Sequence, residues 1–444
     1  MVFLIFLFSL MEDAGAIFLL ISPGPAQVGM GKGGVAYYDN IASVYYNPAS
    51  INLTNPGVFV QNTPIKSPWN VCFTEFGNNI INKVASKYYP SDNVPYSPNW
   101  LPGLYPGMRY IYGGIKFPEL NEFNFGINYT FMNTGETSTS IVTPNDTNTL
   151  VYRTHDYAIS ATLGKSFYDE IISAGITLKY IHSFLAPEEV IEYIFGTEID
   201  GGMASSFTFD IGLLLKDPIN FLTFGTSYSN IVGSLKYIEG GTSDPLPAFI
   251  RAGISLSPVD LVSYALEKYY SFPYDLTDYF QVKYTREILR DRVGNEHESW
   301  HSSGFEFEFF NCVYLREGRF EDIEGGKIGK TRGFGLELGN IRLDYADDSD
   351  IYDFYTSNDQ ISLSIDIMEG DNKYYVYPLS LMFPGAGHMY KGDQMKGFIY
   401  GGGATLISML DPMGNDNRKD IYNYSFYAIY IASIVDLIIS NLME

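Results

Sequence analysis

The residues best placed to do chemistry are "HESWH", His297 to His301, which fit the H-E-x-x-H pattern of zinc proteases. In such a site His297 and His301 bind the metal from one face of a helix, and Glu298 between them serves as general base. The surroundings offer no helix. Gly294-Asn295 precedes the stretch, Ser302-Ser303-Gly304 follows it, and strand-like alternation resumes at Phe305. His155 and His182 fall in strand-like runs and His388 near the C-terminus, which leaves only Asp or Glu for a third ligand. His297, Glu298 and His301 are therefore set aside as a metal site. The stretch is assigned to a long connection, about Ser271 to Ser303, with "DYFQVKYTREILR" as an extended arm. A phosphate reading of "GMGKGG" fails on spacing and on the absence of a strand-to-helix context. Cys72 and Cys312 are the only cysteines, and neither a disulfide framework nor a zinc cluster can be built from two. No cofactor is called for, and nothing marks the chain as an enzyme.

The elements that would position any site are strands. The chain has 444 residues, with 37 Tyr, 31 Phe and 43 Gly, a composition that suits strands and tight turns better than half-buried helices. Its net charge of −23 argues against nucleic acid, because phosphate binding needs basic surface. Val2 to Leu10 is an apolar run too short to span a bilayer, followed by small residues at Ala14 to Ala16, so residues 1–15 read as a signal peptide.

From about Met108 to Met368 the sequence alternates apolar and polar residues in runs of membrane-strand length. "SAGITLKYIHSF" puts Ala174, Ile176, Leu178, Tyr180 and His182 on one face, with Thr177, Lys179 and Ile181 on the other. "GFEFEFF" sets Phe305, Phe307 and Phe309 against Glu306 and Glu308. Connections alternate between short ones, such as "KDPIN" and "SPVD", and long polar ones, such as "NTGETSTSIVTPNDTNTL" and "DDSDIYDFYTSND". A soluble sandwich shares the period of two, whereas alternating connection lengths are the organisation of outer-membrane barrels. About thirteen strands, with one more from "GVFVQN" or "VCFTEF", give an even total near fourteen. The expected fold is thus an all-β, antiparallel, roughly 14-stranded outer-membrane β-barrel over residues 57–368.

The stretch "AIFLLISPGPAQVGMGKGGVAYYDNIASVYYNPASI" resembles the opening of the PorV/PorQ family of FadL-like outer-membrane barrels. Phe18, Leu19 and Ile21 are followed by Pro23-Gly24, Gly29-Met30-Gly31, Asp39, and Tyr46-Asn47-Pro48-Ala49, in the order and spacing of that family. Pro25, Gln27, Asn40 and Ser50 depart from it. Similarity continues through "YSPNWLPGL", "LPAFIRAGISLSPVD" and "GFGLELGNIRLDYA". The resemblance implies that residues 16–56 form a hatch inside the barrel, marked by Gly29, Met30, Gly31, Asp39, Asn47, Pro48 and Ala49. It also implies a role in type IX secretion: binding exported cargo domains, a secretion pore and surface-attachment proteins through extracellular loops, besides contact with membrane lipid. FadL-like architecture suggests the alternative of a transporter for hydrophobic compounds. A structural outer-membrane protein without substrate is the third reading.

Residues 374–444 change character. "PGAGHMYKGDQMKG" resembles small bacterial membrane-associated modules carrying P-G-x-G-Q-x-Y-x-G, with Pro384, Gly385, Gly387, Tyr390, Gly392, Lys396 and Gly397 in agreement and His388 in place of Gln. Tyr422 to Met443 is about the length of a membrane helix but carries Asp436. This segment is expected to form an apolar helical hairpin at the periplasmic rim or on the membrane surface.

Overall fold

The computed structural model describes residues 16–64, 109–143, 146–195, 201–238, 243–271, 275–293, 296–322, 328–338, 340–351, 354–355, 360–366, 380, 384–410 and 416–443. The signal-like segment 1–15, "VCFTEF" and "YSPNWLPGL" lie outside these residues.

Fourteen strands close into one antiparallel ring. They are β1 (Gly57–Pro64), β2 (Arg109–Lys116), β3 (Asn124–Thr143), β4 (Asp146–Phe167), β5 (Ile172–Phe184), β6 (Met203–Lys216) and β7 (Leu222–Ser229), then β8 (Ala248–Leu256), β9 (Phe280–Val293), β10 (Glu296–Phe309), β11 (Val313–Asp322), β12 (Ile328–Leu338), β13 (Ile341–Ile351) and β14 (Gln360–Asp366). Each strand pairs with its neighbours in sequence, and β1 pairs with β14 (Phe59 opposite Ser364) to close the circle. The strand preceding β2 is the one drawn from "GVFVQN".

The alternation read from the sequence sorts side chains across this wall. Leu178, Phe207, Ile250, Phe305 and Phe334 face outward and are exposed, whereas Thr177, Lys179, Asp210, Glu306 and Arg316 face inward and are buried. In water each exposed Leu or Phe would forgo about 1.5–3 kcal/mol of burial, and this inversion is repeated on almost every strand. Closure pairs each strand of the wall on both sides, as a hydrocarbon environment demands. The inversion excludes the soluble sandwich, and the chain is an outer-membrane β-barrel.

Three connections differ from the sequence reading. "SPVD" is not a short turn: Pro258, in the first helical turn where its missing N–H is no loss, opens a 13-residue helix to Tyr270. The sequence reading gives "SPVD" as a short connection and places β9 in a long connection from about Ser271 to Ser303. "DYFQVKYTREILR" is instead wall strand, since β9 pairs residue for residue with β8 and β10. "NTGETSTSIVTPNDTNTL" is largely strand as well. Beyond a register shift between Asn133 and Glu136, β3 and β4 pair only with each other up to Thr143 opposite Asp146. This two-stranded ribbon rises past the wall at the end carrying the longer connections; Thr and Ser are frequent in it, and Leu150 and Tyr152 pack on Ala186, Val190 and Ile191.

The C-terminal segment contributes helices Ala386–Tyr390, Gln394–Leu410 and Asp416–Met443. Among the described residues no helix is long and apolar enough to cross a membrane.

Candidate functional site: the hatch in the lumen

Residues 16–56 fill the barrel. Short turns dominate this segment: bonds such as Val28 N–H to Gly24, Ser43 N–H to Asn40 and Ser50 N–H to Asn47 close within it, and wall side chains satisfy backbone groups that the turns leave over. Glu287 Oε2 on β9 accepts from the Gly34 and Val35 N–H groups at 2.7 and 2.8 Å, while its Oε1 accepts from Arg251 Nη1 at 2.9 Å. Tyr37 donates to Glu306 Oε2 at 2.6 Å, and Arg316 Nε donates to the same oxygen at 2.6 Å. Arg316 also reaches Asp344 at 2.7 Å, and Arg342 bridges Asp344 and the hatch carboxylate Asp39. Every one of these wall side chains points inward from β8 to β13.

The hatch motif residues meet this wall at close quarters. Thr331 Oγ1 accepts from Gly31 N–H at 3.0 Å and donates to the Gly29 carbonyl at 3.1 Å. Gly31 has φ +75°, and a Cβ there would lie 2.6 Å from the Arg319 and Ser303 carbonyl oxygens, so both its conformation and its space require glycine. Met30 is buried with Ala26 and Tyr37. Asn47 accepts from Ala49 N–H, capping the short helix that Pro48 begins, and donates to the Val35 and Leu213 carbonyls. Ala49 is fully buried. The receiving wall glycines were not singled out in the sequence. A Cβ at Gly212 would sit 2.0 Å from Asn47 Oδ1, and one at Gly318 2.0 Å from Gly31 N. Their signal was available: each occupies an inward position of a strand, where glycine marks a close backbone approach.

The opposite side of the lumen carries an apolar cluster among inward polar residues such as Asn128, Thr162 and Thr177. Phe59, Tyr110, Tyr112, Met132, Ala158, Ile181 and Ala204 project inward from β1 to β6 and pack on Phe18, Leu19, Ile41 and Val44 of the hatch. Leu235 and Leu246, from the connection between β7 and β8, join the same cluster. A cavity of about 20 Å³ lies between Phe18, Leu19, Val44, Tyr110 and Tyr112, room for about one water molecule. Lys179 and Asp210 line its floor and pair at 2.6 Å.

His297, Glu298 and His301 are placed at the upper end of β10, with His297 opposite Arg292 and His301 opposite Ile288. On a strand, residues four apart are separated by about 13 Å, over twice their distance on a helix, so the zinc-protease geometry is not available to them. Among the described residues no three His, Cys, Asp or Glu side chains gather as metal ligands.

The C-terminal motif is built into a helical contact instead of a pocket. Gly385 (φ +86°) lies against Gly397, where a Cβ would meet the Gly397 carbonyl at 2.5 Å, and Gly392 (φ +83°) makes the turn before the next helix. Gly387 N–H donates to Ser380 and Lys396 pairs with Asp436 at 3.0 Å. Pro384 is buried, and Tyr390 ends the helix that begins at Ala386.

No protein-family model matches this sequence, and no curated protein matches it. Among solved structures, the chain is similar to the Ralstonia pickettii toluene transporter TbuX, at 14% identity over 78% of this chain and 97% of that one, with a TM-score of 0.42. It is similar to the P. putida toluene transporter TodX at 11% identity over 78% and 98%, with a TM-score of 0.43. A Pseudomonas aeruginosa FadL homologue gives 11% identity over 80% and 100%, with a TM-score of 0.42. At these values the likeness carries no argument about function, and the barrel assignment rests on the ring's own pairing and inverted polarity.

Proposed function

We propose that this barrel passes small hydrophobic compounds through its lumen, with the hatch as a movable plug. The observation that supports it is the continuous apolar sector. It runs from Leu235 and Leu246 at the outer end, along Met132, Ile181 and Tyr110, to Phe18 and Leu19 of the hatch. Barrel lumens are ordinarily polar, so an apolar inner face needs an apolar occupant. Here the hatch is that occupant, and an apolar solute could replace it contact for contact. On this reading the chain binds and moves solutes and catalyses no reaction. The test is uptake of a radiolabelled aromatic hydrocarbon or fatty acid by cells expressing the full chain. Expression should raise uptake, and Ile181→Lys, which sets a charge in the apolar sector, should abolish the gain while heat-modifiable migration persists. Uptake no higher than in empty-vector cells would reject the proposal.

A second reading, partner binding in PorV-type secretion, draws support from the β3–β4 ribbon, whose two strands pair with each other beyond the wall in an arrangement to which an extended partner segment could add. Deleting residues 136–153 should then release any co-purifying cargo or surface-attachment protein from detergent extracts. Unchanged co-purification would remove this reading.

A further inference from the structure

We propose that the C-terminal helix pair is embedded in lipid, as a collar on the outer wall of the barrel in the periplasmic-side leaflet. This inference is independent of what passes through the lumen. Three observations converge on it. First, the helices are seated on the lipid-facing surface of the wall through the short helix Ala386–Tyr390 that leads into the pair and through Phe398 of the helix Gln394–Leu410. Ala386 and Met389 pack on Ile115 and Phe117, beside Val58, Phe125, Ile127 and Ile365, all outward-facing residues at the short-turn ends of β14, β1, β2 and β3. The Phe398 ring lies 4.8 Å from Phe117 and 6.1 Å from Phe125. The surface beneath the helices is therefore part of the same apolar band that lipid covers elsewhere on the barrel.

Second, the helices are inverted in polarity just as the strands are. On Asp416–Met443 the exposed positions Tyr424, Tyr427, Ile431, Val435 and Ile438 recur at spacings of three and four, one apolar stripe along one face. Ile431 is 59% exposed and Ile399, on the neighbouring helix, 57%. The other face carries Ser433, Asp436 and Ser440, turned toward the partner helix. A water-facing amphipathic helix would show the opposite arrangement.

Third, polar groups of the two helices and of the turn before them pair with one another, with the Lys396 side chain 39% exposed. Lys396 Nζ lies 3.0 Å from Asp436 Oδ2 and 3.4 Å from Ser440 Oγ. His388 Nε2 donates to the Ser433 carbonyl at 3.1 Å, and Ser433 Oγ accepts from Gly385 N–H at 2.9 Å. Charges and hydroxyls that pair across a helix contact, leaving aliphatic side chains outside, are what hydrocarbon surroundings require. Among the described residues neither helix is long and apolar enough to cross the bilayer, and we place the pair within one leaflet. The wall residues it touches place that leaflet on the short-turn side, the periplasmic side of such barrels.

Spin labels decide the matter in the full chain. Ile399→Cys, Ile431→Cys and Ile438→Cys, each in a Cys72→Ser/Cys312→Ser background, are labelled and reconstituted in phosphatidylethanolamine–phosphatidylglycerol vesicles. Glu189→Cys, on an exposed loop helix at the other end, is the water reference. Collisions with dissolved oxygen should exceed those with a water-soluble nickel chelate severalfold at the three helix sites, and the order should reverse at Glu189. Nickel-dominated relaxation at the helix sites would place the pair in water and overturn the proposal. Shielding from both reagents would overturn it equally, by showing that a second copy or another protein covers the stripe.

Discussion

On the β8–β13 side the hatch meets Glu287, Glu306, Arg316 and Arg342, whereas on the β1–β6 side it meets Phe59, Tyr110, Tyr112, Met132 and Ile181. The same segment is thus held by directional charge on one flank and by non-directional apolar contact on the other. The two kinds of contact fail differently. Separating a buried carboxylate from its guanidinium leaves both desolvated and unpaired, a penalty of about 3–5 kcal/mol for a single removed partner. Parting apolar surfaces costs little if another apolar body takes the vacated place. The comparison assigns the ionic flank the part of anchor and the apolar flank the part that yields.

Breaking the anchor should have the largest effect. Arg316→Leu leaves Glu306, the acceptor of the hatch's Tyr37, without its guanidinium and leaves Asp344 with Arg342 alone, and should destabilise the hatch by about 3–5 kcal/mol. Chemical unfolding in detergent micelles, read by limited proteolysis of residues 16–56, measures it. A loss no greater than that of an apolar truncation would erase the distinction between the flanks. Tyr37→Phe deletes one hydrogen bond to a buried carboxylate while keeping the ring, and should cost about 1.5–3 kcal/mol in the same assay. Ile181→Val removes one methylene from the apolar flank. It should cost about 0.5–1.5 kcal/mol, and adding a hydrophobic solute should partly restore the loss, whereas the same solute should leave Arg316→Leu unrescued. Equal rescue on both sides would mean that the flanks do not differ in what they accept.

Much of the barrel was legible in the sequence because a strand in a membrane wall writes its environment as a period of two. Ile176 and Leu178 against Thr177 and Lys179 declare two faces, and the structure turns the first pair to lipid and the second to the lumen. The reading went astray where a local pattern was compatible with two elements. "SPVD" has turn composition, yet the residues after it continue a helix, so β9 was folded into a loop that does not exist. "HESWH" carries the residues of a metal site but lies on a strand, where its spacing has a different meaning. Within the lumen, Gly29, Gly31 and Asn47 were singled out from one side only. Their receptors Thr331, Gly212 and Gly318 lie between about 165 and 300 residues away, and no local pattern joins them.

By itself the sequence determined the architecture: alternating faces, alternating connection lengths and an even strand count near fourteen fix an outer-membrane barrel, because each follows from short-range spacing along one strand or turn. Only the tertiary structure decided how the lumen divides. Arg251, Glu287, Arg316 and Arg342 read locally as inward polar residues no different from Lys179 or Asp210. Closing the ring is what gathers the arginine–carboxylate network on one flank and most of the aromatic and aliphatic side chains on the other, where Lys179 and Asp210 form a separate pair. That partition arises from contacts between residues distant in sequence, and it determines which side of the hatch is anchored and which is free to give way.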